Sequence, residues 1–92
     1  MSPYKDSNLS KEKAPYKLFT ENVMACIADR VYHRRQDMDM TEKEFAKSLG
    51  VSKRKVFKWE SGLYNFPLSE LVLLYKELGI DVGEFLINEN ND

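Results

Sequence analysis

A short cationic segment is the strongest chemical signal in this sequence of 92 residues. Four cations fall within six residues, and no acid follows them before Glu60. Lysine and arginine bind phosphate groups, and arginine can also donate two hydrogen bonds to the N7 and O6 atoms of guanine. A run of charges is more often a solvated surface, so the cluster indicates nucleic-acid binding only if a structural element presents it on one face. The four residues are Lys53, Arg54, Lys55 and Lys58.

Catalytic and metal-binding chemistry has little support in the sequence. Cys26 and His33 stand seven residues apart, and no acidic side chain completes a catalytic arrangement with them. We therefore expect a core thiol and a surface histidine rather than a nucleophile and its base. No glycine-rich phosphate loop, metal-ligand cluster or pair of carboxylates in a cleft can be assembled. The sequence predicts a protein that is not an enzyme and that uses no cofactor or metal.

Length and composition predict a single globular domain. The chain is 42% hydrophobic and 32% charged, which are ordinary proportions for such a domain. No apolar stretch approaches the ~20 residues of a membrane-spanning helix, and the polar N-terminal segment lacks the apolar core of a signal peptide. A single cysteine fits a reducing compartment. We therefore expect a cytoplasmic protein that does not associate with membranes.

The formal net charge of −1 hides a strong asymmetry along the chain. Up to Lys58 the sequence carries thirteen cations and eight acids, which gives a formal charge of +5. From Trp59 onward it carries seven acids and one cation, Lys76, which gives a formal charge of −6. Because the cations are concentrated in one part, the near-neutral total does not exclude a polyanionic partner.

The elements that position these residues are predicted to begin after a polar N-terminal segment. Residues 1–18 contain two prolines and no apolar periodicity, so we expect a flexible basic arm. Thr20 is expected to cap a first helix, which should end near Gln36. The inner face of this helix is predicted from apolar residues at four-residue intervals, namely Val23, Ile27 and Val31.

Capping signals predict the second and third helices. Thr41 and Glu44 have the spacing of a capping box, in which each side chain bonds the other's free backbone N–H. Gly50 can end the second helix because glycine readily adopts a left-handed conformation. Ser52 follows two residues later and can cap a third helix over residues 52–60. The inward-facing residues of that helix are Val56 and Trp59.

A fourth helix is expected between Pro67 and Gly79, and a fifth is expected after a cap at Asp81. No segment shows the period-two alternation of a strand. The predicted fold is therefore all-α with five helices, organised as a domain over residues 19–87 and a disordered tail over residues 88–92. The residues of the fourth helix that are expected to face the core are Leu71, Leu74, Tyr75 and Leu78.

Two short helices joined by a tight turn at Gly50 are what a helix-turn-helix requires. From Ile27 to Leu86 the sequence resembles the Cro and lambda-repressor-like (XRE-type) helix-turn-helix family. This resemblance implies a five-helix lambda-repressor-like DNA-binding bundle. It also implies a transcriptional regulator, specifically a repressor, that reads the major groove of double-stranded DNA with helix 52–60. The residues that carry it are Met40, Thr41, Glu44, Phe45, Ala46, Leu49, Gly50, Val51, Ser52, Val56, Trp59, Glu60, Gly62, Pro67, Leu78, Gly79, Ile80, Phe85 and Leu86.

The resemblance implies roles for individual side chains. The base contacts would come from Lys53, Arg54 and Lys58, with Arg54 making a bidentate contact. Arg35 and Glu60 would form a structural ion pair that orients the recognition helix. Contacts to DNA phosphates are implied for Arg34, Thr41, Lys43, Lys47, Ser52 and Lys55.

One residue and one loop depart from the family's pattern. Many members carry glutamine at the position of Glu42, where it bonds a DNA phosphate, whereas a glutamate would repel that phosphate. The loop over residues 62–67 is apolar and aromatic where relatives often carry lysine or arginine. Both departures predict weaker DNA binding than in a typical member.

The loop residues Leu63, Tyr64 and Phe66 leave two alternatives open. They either pack on the small core or form an exposed patch, and exposed apolar patches mark interfaces. The family's dimers imply that such a patch joins two copies, which would bind a palindromic operator with recognition helices about 34 Å apart. The alternative function is a protein-interaction module, such as an antitoxin-like regulatory protein. That module would hold a protein partner with loop 63–66 and the acidic C-terminal half.

Overall fold

Five helices make up the regular structure of the protein. A computed structural model describes residues 6–88, with side chains described for residues 16–87. No strand occurs within these residues. The prediction of an all-α fold with five helices is confirmed. The helices are α1 (Asp6–Asp37), α2 (Glu42–Leu49), α3 (Lys53–Trp59), α4 (Leu68–Leu78) and α5 (Gly83–Asn88).

The first helix begins earlier than predicted. α1 starts at Asp6, and Thr20 lies inside it rather than at its N-terminus. The Thr20 hydroxyl donates to the backbone carbonyl of Tyr16 at 2.7 Å. This bond runs back to the preceding turn of the same helix, so the hydroxyl does not cap a free N–H group. The predicted cap at Thr20 is therefore wrong.

The predicted domain limits are described only in part. From Asp6 to residue 18 the predicted arm is helical. Residues 1–5 of the arm and residues 89–92 of the tail lie outside the described residues. A domain over residues 19–87, flanked by an arm and a tail, therefore stays a prediction.

The hydrophobic core lies where the helices meet. Ile27 and Val31 are buried on the predicted inner face of α1, and Val23 packs at its margin. Leu74 and Leu78 are buried as predicted, whereas Tyr75 is 54% exposed. The inward orientation predicted for Tyr75 is wrong because this residue projects to one side of the face that Leu71, Leu74 and Leu78 present. The largest fully buried side chains are Trp59, Phe45, Leu74, Val31 and Val56.

Most predicted helix termini have the expected geometry. Thr41 and Glu44 form both hydrogen bonds of a capping box. Gly50 and Gly79 end α2 and α4 with left-handed φ angles of 73° and 69°. Before α5, the Asp81 side chain accepts from the Gly83 N–H at 2.9 Å. None of the helices described combines the length and apolarity needed to span a bilayer.

Candidate nucleic-acid interface

A tight turn joins α2 to α3. The Gly50 N–H donates to the carbonyl of Lys47 at 3.3 Å, and the Val51 N–H donates to that of Ala46 at 3.0 Å. The Ser52 hydroxyl then accepts from the Lys55 N–H at 3.0 Å, so the next helix starts after three intervening residues. Ala46 is buried, and its small side chain lets the two helices approach closely. The turn thereby sets α3 at a defined angle against α2.

The third helix has a buried face and an exposed face of opposite chemistry. Val56 and Trp59 are both 0% exposed and anchor α3 in the core. Lys53, Arg54 and Lys58 are exposed. An anchored helix that presents long cations to solvent can approach a polyanion without moving its backbone. The three side chains predicted to contact bases are thus brought together on one short helix.

A buried ion pair holds the C-terminal end of α3 to α1. Arg35 donates from Nε to Glu60 Oε2 at 2.8 Å and from Nη2 to Glu60 Oε1 at 2.9 Å. The two side chains are only 10% and 9% exposed, and Arg35 Nη1 also donates to the Met40 carbonyl at 3.0 Å. The hydrogen bond to Glu60 raises the pKa of Arg35, and this outweighs the opposing effect of burial. The predicted ion pair is therefore bidentate and joins the C-terminal end of α3 to α1.

Glu42, the first residue of α2, lies near the same arginine. Its Oε2 atom is 4.0 Å from Arg35 Nη2, and its side chain is partly buried. The Arg35 guanidinium therefore faces two carboxylates, of which Glu60 is the closer. The nearby guanidinium partly compensates the negative charge of Glu42, at the position where the resemblance implies glutamine.

A hydrogen-bond network around Glu70 was not predicted. Glu70 Oε1 accepts from Trp59 Nε1 at 2.9 Å and from the Tyr64 hydroxyl at 2.8 Å. Glu70 Oε2 accepts from Lys55 Nζ at 2.8 Å, and Lys55 Nζ also donates to the Tyr64 hydroxyl at 3.0 Å. One carboxylate therefore joins α3, the following loop and α4.

The network changes the ionisation of its charged members. Burial raises the pKa of Glu70, but the hydrogen bonds from Lys55, Trp59 and Tyr64 together lower it by more than burial raises it. The pKa of Glu70 therefore lies below its ordinary value. The hydrogen bond to Glu70, followed by the one to Tyr64, raises the pKa of Lys55. Lys55 thus stays cationic while its ammonium is engaged within the protein. Its predicted phosphate contact would have to compete with these partners.

The other predicted phosphate contacts lie at or near the ends of α1, α2 and α3. Lys43 and Lys47 are exposed on α2, and Arg34 is half-buried in the last turn of α1. The hydroxyls of Thr41 and Ser52 accept hydrogen bonds from backbone N–H groups of their own helices. The phosphate contacts of all five residues stay predictions.

The aromatic loop divides between the core and the surface. Tyr64 and Phe66 are partly buried against the core and touch each other edge to face, with ring centroids 4.9 Å apart. The Phe66 ring also stacks on that of Trp59. Leu63 is 81% exposed. Tyr64 and Phe66 therefore pack on the core, as the first alternative expects, and Leu63 projects to solvent. An interface formed by these three residues stays a prediction.

The cysteine and the histidine both lie on the surface of α1. His33 is exposed, and its Nδ1 atom lies 2.9 Å from the Asp29 carbonyl oxygen. Cys26 is also exposed, so the expected core thiol is wrong. Its position on α1 turns away from the buried face formed by Ile27 and Val31. Within the described residues, no three His, Cys, Asp or Glu side chains form a group that could hold a metal ion.

Comparison with known protein families gives a match over most of the helical domain. Residues 31–85, more than half of the chain, match a family model described as helix-turn-helix, of the Cro/C1 type. No curated protein and no solved structure matches the chain. The matched segment contains α2, the turn, α3 and α4 in full, together with the Arg35–Glu60 pair.

Proposed function

The chain belongs to the Cro/C1-type helix-turn-helix family of DNA-binding transcription regulators, and from this premise we propose that it is a repressor specific for one operator sequence. In this proposal α3 enters the major groove, and bound protein blocks transcription by occupying the operator. One observation carries the proposal. Lys53, Arg54 and Lys58 are exposed on a helix whose opposite side, at Val56 and Trp59, is fully buried.

The roles proposed for the cations follow from their chemistry. Arg54 is the best candidate for a bidentate contact because the guanidinium matches the N7 and O6 atoms of guanine. Lys53 and Lys58 flank it and reach neighbouring bases. Lys43 and Lys47 on α2 are assigned to phosphates, which position the protein without selecting a sequence.

Selection from a pool of random duplexes tests the proposal. We expect enrichment of one two-fold symmetric sequence, and we expect Arg54→Gln to relax selection at one position of each half-site by about 1–3 kcal/mol. Lys76→Gln is the matched control, because it removes one exposed charge on α4 and should leave the selected sequence unchanged. A pool without any enrichment would contradict the proposal.

The proposal includes a homodimer, since a seven-residue helix contacts few base pairs and a two-fold operator needs two copies. Of the three predicted interface residues, Leu63 has the exposure that a contact between copies requires. Light scattering of the protein with and without its operator measures the assembly. Monomers in both samples at high concentration would contradict the dimer, and Leu63→Ser should weaken it.

A second function is favoured by one other observation. α4 carries exposed apolar side chains at Leu68, Val72 and Tyr75, which share one side of the helix within the acidic part of the chain. Such a stripe suits a protein-interaction module of the antitoxin-like kind. The duplex selection separates the two functions, because a module that binds only protein enriches no DNA sequence.

A further inference from the structure

We propose that Phe57 reads a DNA base, by packing its ring against the C5 methyl group of a pyrimidine beside the guanine that Arg54 contacts. In ordinary DNA that pyrimidine is thymine. The inference deepens the proposed function and rests on it. It adds an apolar contact to a recognition helix whose other assigned contacts are all cationic.

Phe57 is placed on the outer face of α3. Its side chain is 63% exposed, whereas its neighbour Val56 is 0% exposed. Residues three and four apart on a helix lie side by side, so Phe57 adjoins Arg54 three positions earlier and Lys53 four positions earlier. The ring therefore stands among the same side chains that are proposed to meet base edges.

Phe57 is not among the buried residues of the hydrophobic core or the partly buried side chains packed against it. Within the described residues, Phe57 makes neither an aromatic contact nor a cation–π contact, unlike Trp59, Tyr64 and Phe66. It lines one hollow with Glu42, Lys53 and Arg54, and a second hollow with Ala28, Tyr32 and Glu42. A large apolar ring that is mostly exposed gains free energy when a partner covers it.

The chemistry of the partner follows from the surroundings of the ring. A phenylalanine has no donor for a phosphate and no polar atom for a base edge. In the major groove the one apolar group at a base edge is the pyrimidine C5 methyl. Because Arg54 and Lys53 hold DNA on the same face, the ring meets the groove floor when α3 enters it. A methyl group is therefore the contact available to it.

A change of one methyl group in the DNA tests this contact. In the operator obtained by selection, each thymine of a half-site is replaced in turn by deoxyuridine, which lacks only that methyl. We expect binding to weaken about fourfold at one position, the effect of leaving one methyl unburied, and to stay unchanged at the others. In Phe57→Ala the same replacement should have no effect, because the ring that covers the methyl is absent.

Two further variants separate the contact from folding and from general loss of apolar surface. Phe57→Leu keeps an apolar side chain and should retain most of the sensitivity to the methyl group. Ile87→Ala removes an exposed apolar side chain on α5 and should bind and respond like the unaltered protein. Circular dichroism establishes that each variant is folded before binding is measured.

The outcomes distinguish this inference from the function on which it rests. An operator that binds equally well with every thymine replaced overturns the contact while leaving the DNA-reading function in place. Sensitivity that persists unchanged in Phe57→Ala overturns it as well, since another side chain would then cover the methyl. If no duplex is enriched at all, the proposed function fails, and the Phe57 contact fails with it.

Discussion

Glu70 links α3 to α4 and to the loop between them through three hydrogen-bond donors. It accepts from Trp59 and Lys55 on α3 and from Tyr64 in the loop, each at 2.8 or 2.9 Å. Hydrogen bonds to a charged acceptor stabilise a fold more than those between neutral groups. The position of α3 therefore depends on a residue that lies outside the helix-turn-helix itself.

The lowered pKa of Glu70 predicts a dependence of stability on pH. Because the folded pKa lies below the ordinary value of 4.5, the ionised carboxylate favours folding, and its contribution is complete above that value. The contribution is lost as the pH falls through the folded pKa. At pH 7, Glu70→Gln should lower the free energy of unfolding by about 1–2 kcal/mol. The difference between the two proteins should shrink below pH 4.5, as measured by urea unfolding.

Glu77→Gln is the matched control for this change, because Glu77 is an exposed acid on the same helix. It should alter the free energy of unfolding by less than about 0.5 kcal/mol at either pH. If Glu70→Gln and Glu77→Gln gave the same pH profile, the network would not contribute to stability.

At the scale of elements, the Arg35–Glu60 pair is an ion pair that joins α1 to the end of α3. Arg35→Met should lower the free energy of unfolding by about 3 kcal/mol, because Glu60 is left nearly buried without its cation. Replacing both residues, with Arg35→Met and Glu60→Leu, should recover most of that loss, since no buried charge remains unpaired. Urea unfolding of the three proteins measures both effects.

An exposed ion pair provides the comparison for the buried one. Arg30 and Glu84 lie 3.5 Å apart with side chains 41% and 55% exposed. Glu84→Gln should therefore change the free energy of unfolding by no more than about 0.5 kcal/mol. If Arg35→Met lowered the free energy of unfolding no more than Glu84→Gln does, the buried pair would not contribute to the stability of the fold.

Local signals predicted the elements best. The caps at Thr41, Gly50, Ser52 and Gly79 depend on residues a few positions apart, so the sequence contains the whole interaction. The start of α1 was missed because Pro15 and polar neighbours indicated an arm. A proline inside a helix removes one backbone donor, and the helix here continues through it.

Contacts between distant residues explain what the sequence did not predict at the candidate site. Arg35 and Glu60 were paired through a family resemblance, whereas Glu70 offered no such guide and looked like an ordinary acid at a helix start. A buried tryptophan needs an acceptor for its indole N–H, and this need was the one available signal for Glu70. The exposure of Phe57 likewise depends on how α3 is seated, which periodicity in seven residues does not define.

At the scale of the whole molecule, the separation of charge predicts how DNA binding responds to salt. The part up to Lys58 carries a formal charge of +5 and the remainder carries −6. Affinity for DNA should fall steeply as the salt concentration rises, because less free energy is then gained by releasing the cations condensed on DNA. Lys43→Gln should reduce the slope of log K against log salt by about 1 for each copy bound, without altering the preferred sequence.

The size of that reduction also counts the copies on the operator. A change of about 2 indicates two bound copies, since each would lose one phosphate contact. Lys76→Gln on α4 is the control and should leave the slope unchanged. Filter binding at a series of salt concentrations measures the slope. An unchanged slope in Lys43→Gln would remove Lys43 from the phosphate contacts.

The sequence contains one tryptophan, and it lies on the underside of α3 with no exposed surface. Trp59 also donates its indole N–H to Glu70, an ionised group that belongs to another helix. Its emission spectrum therefore reports on the seating of a single element. Loosening of α3 from the core would shift that emission to longer wavelengths even while the other helices stayed intact. The protein thus carries an intrinsic optical probe on the helix that is proposed to enter the groove.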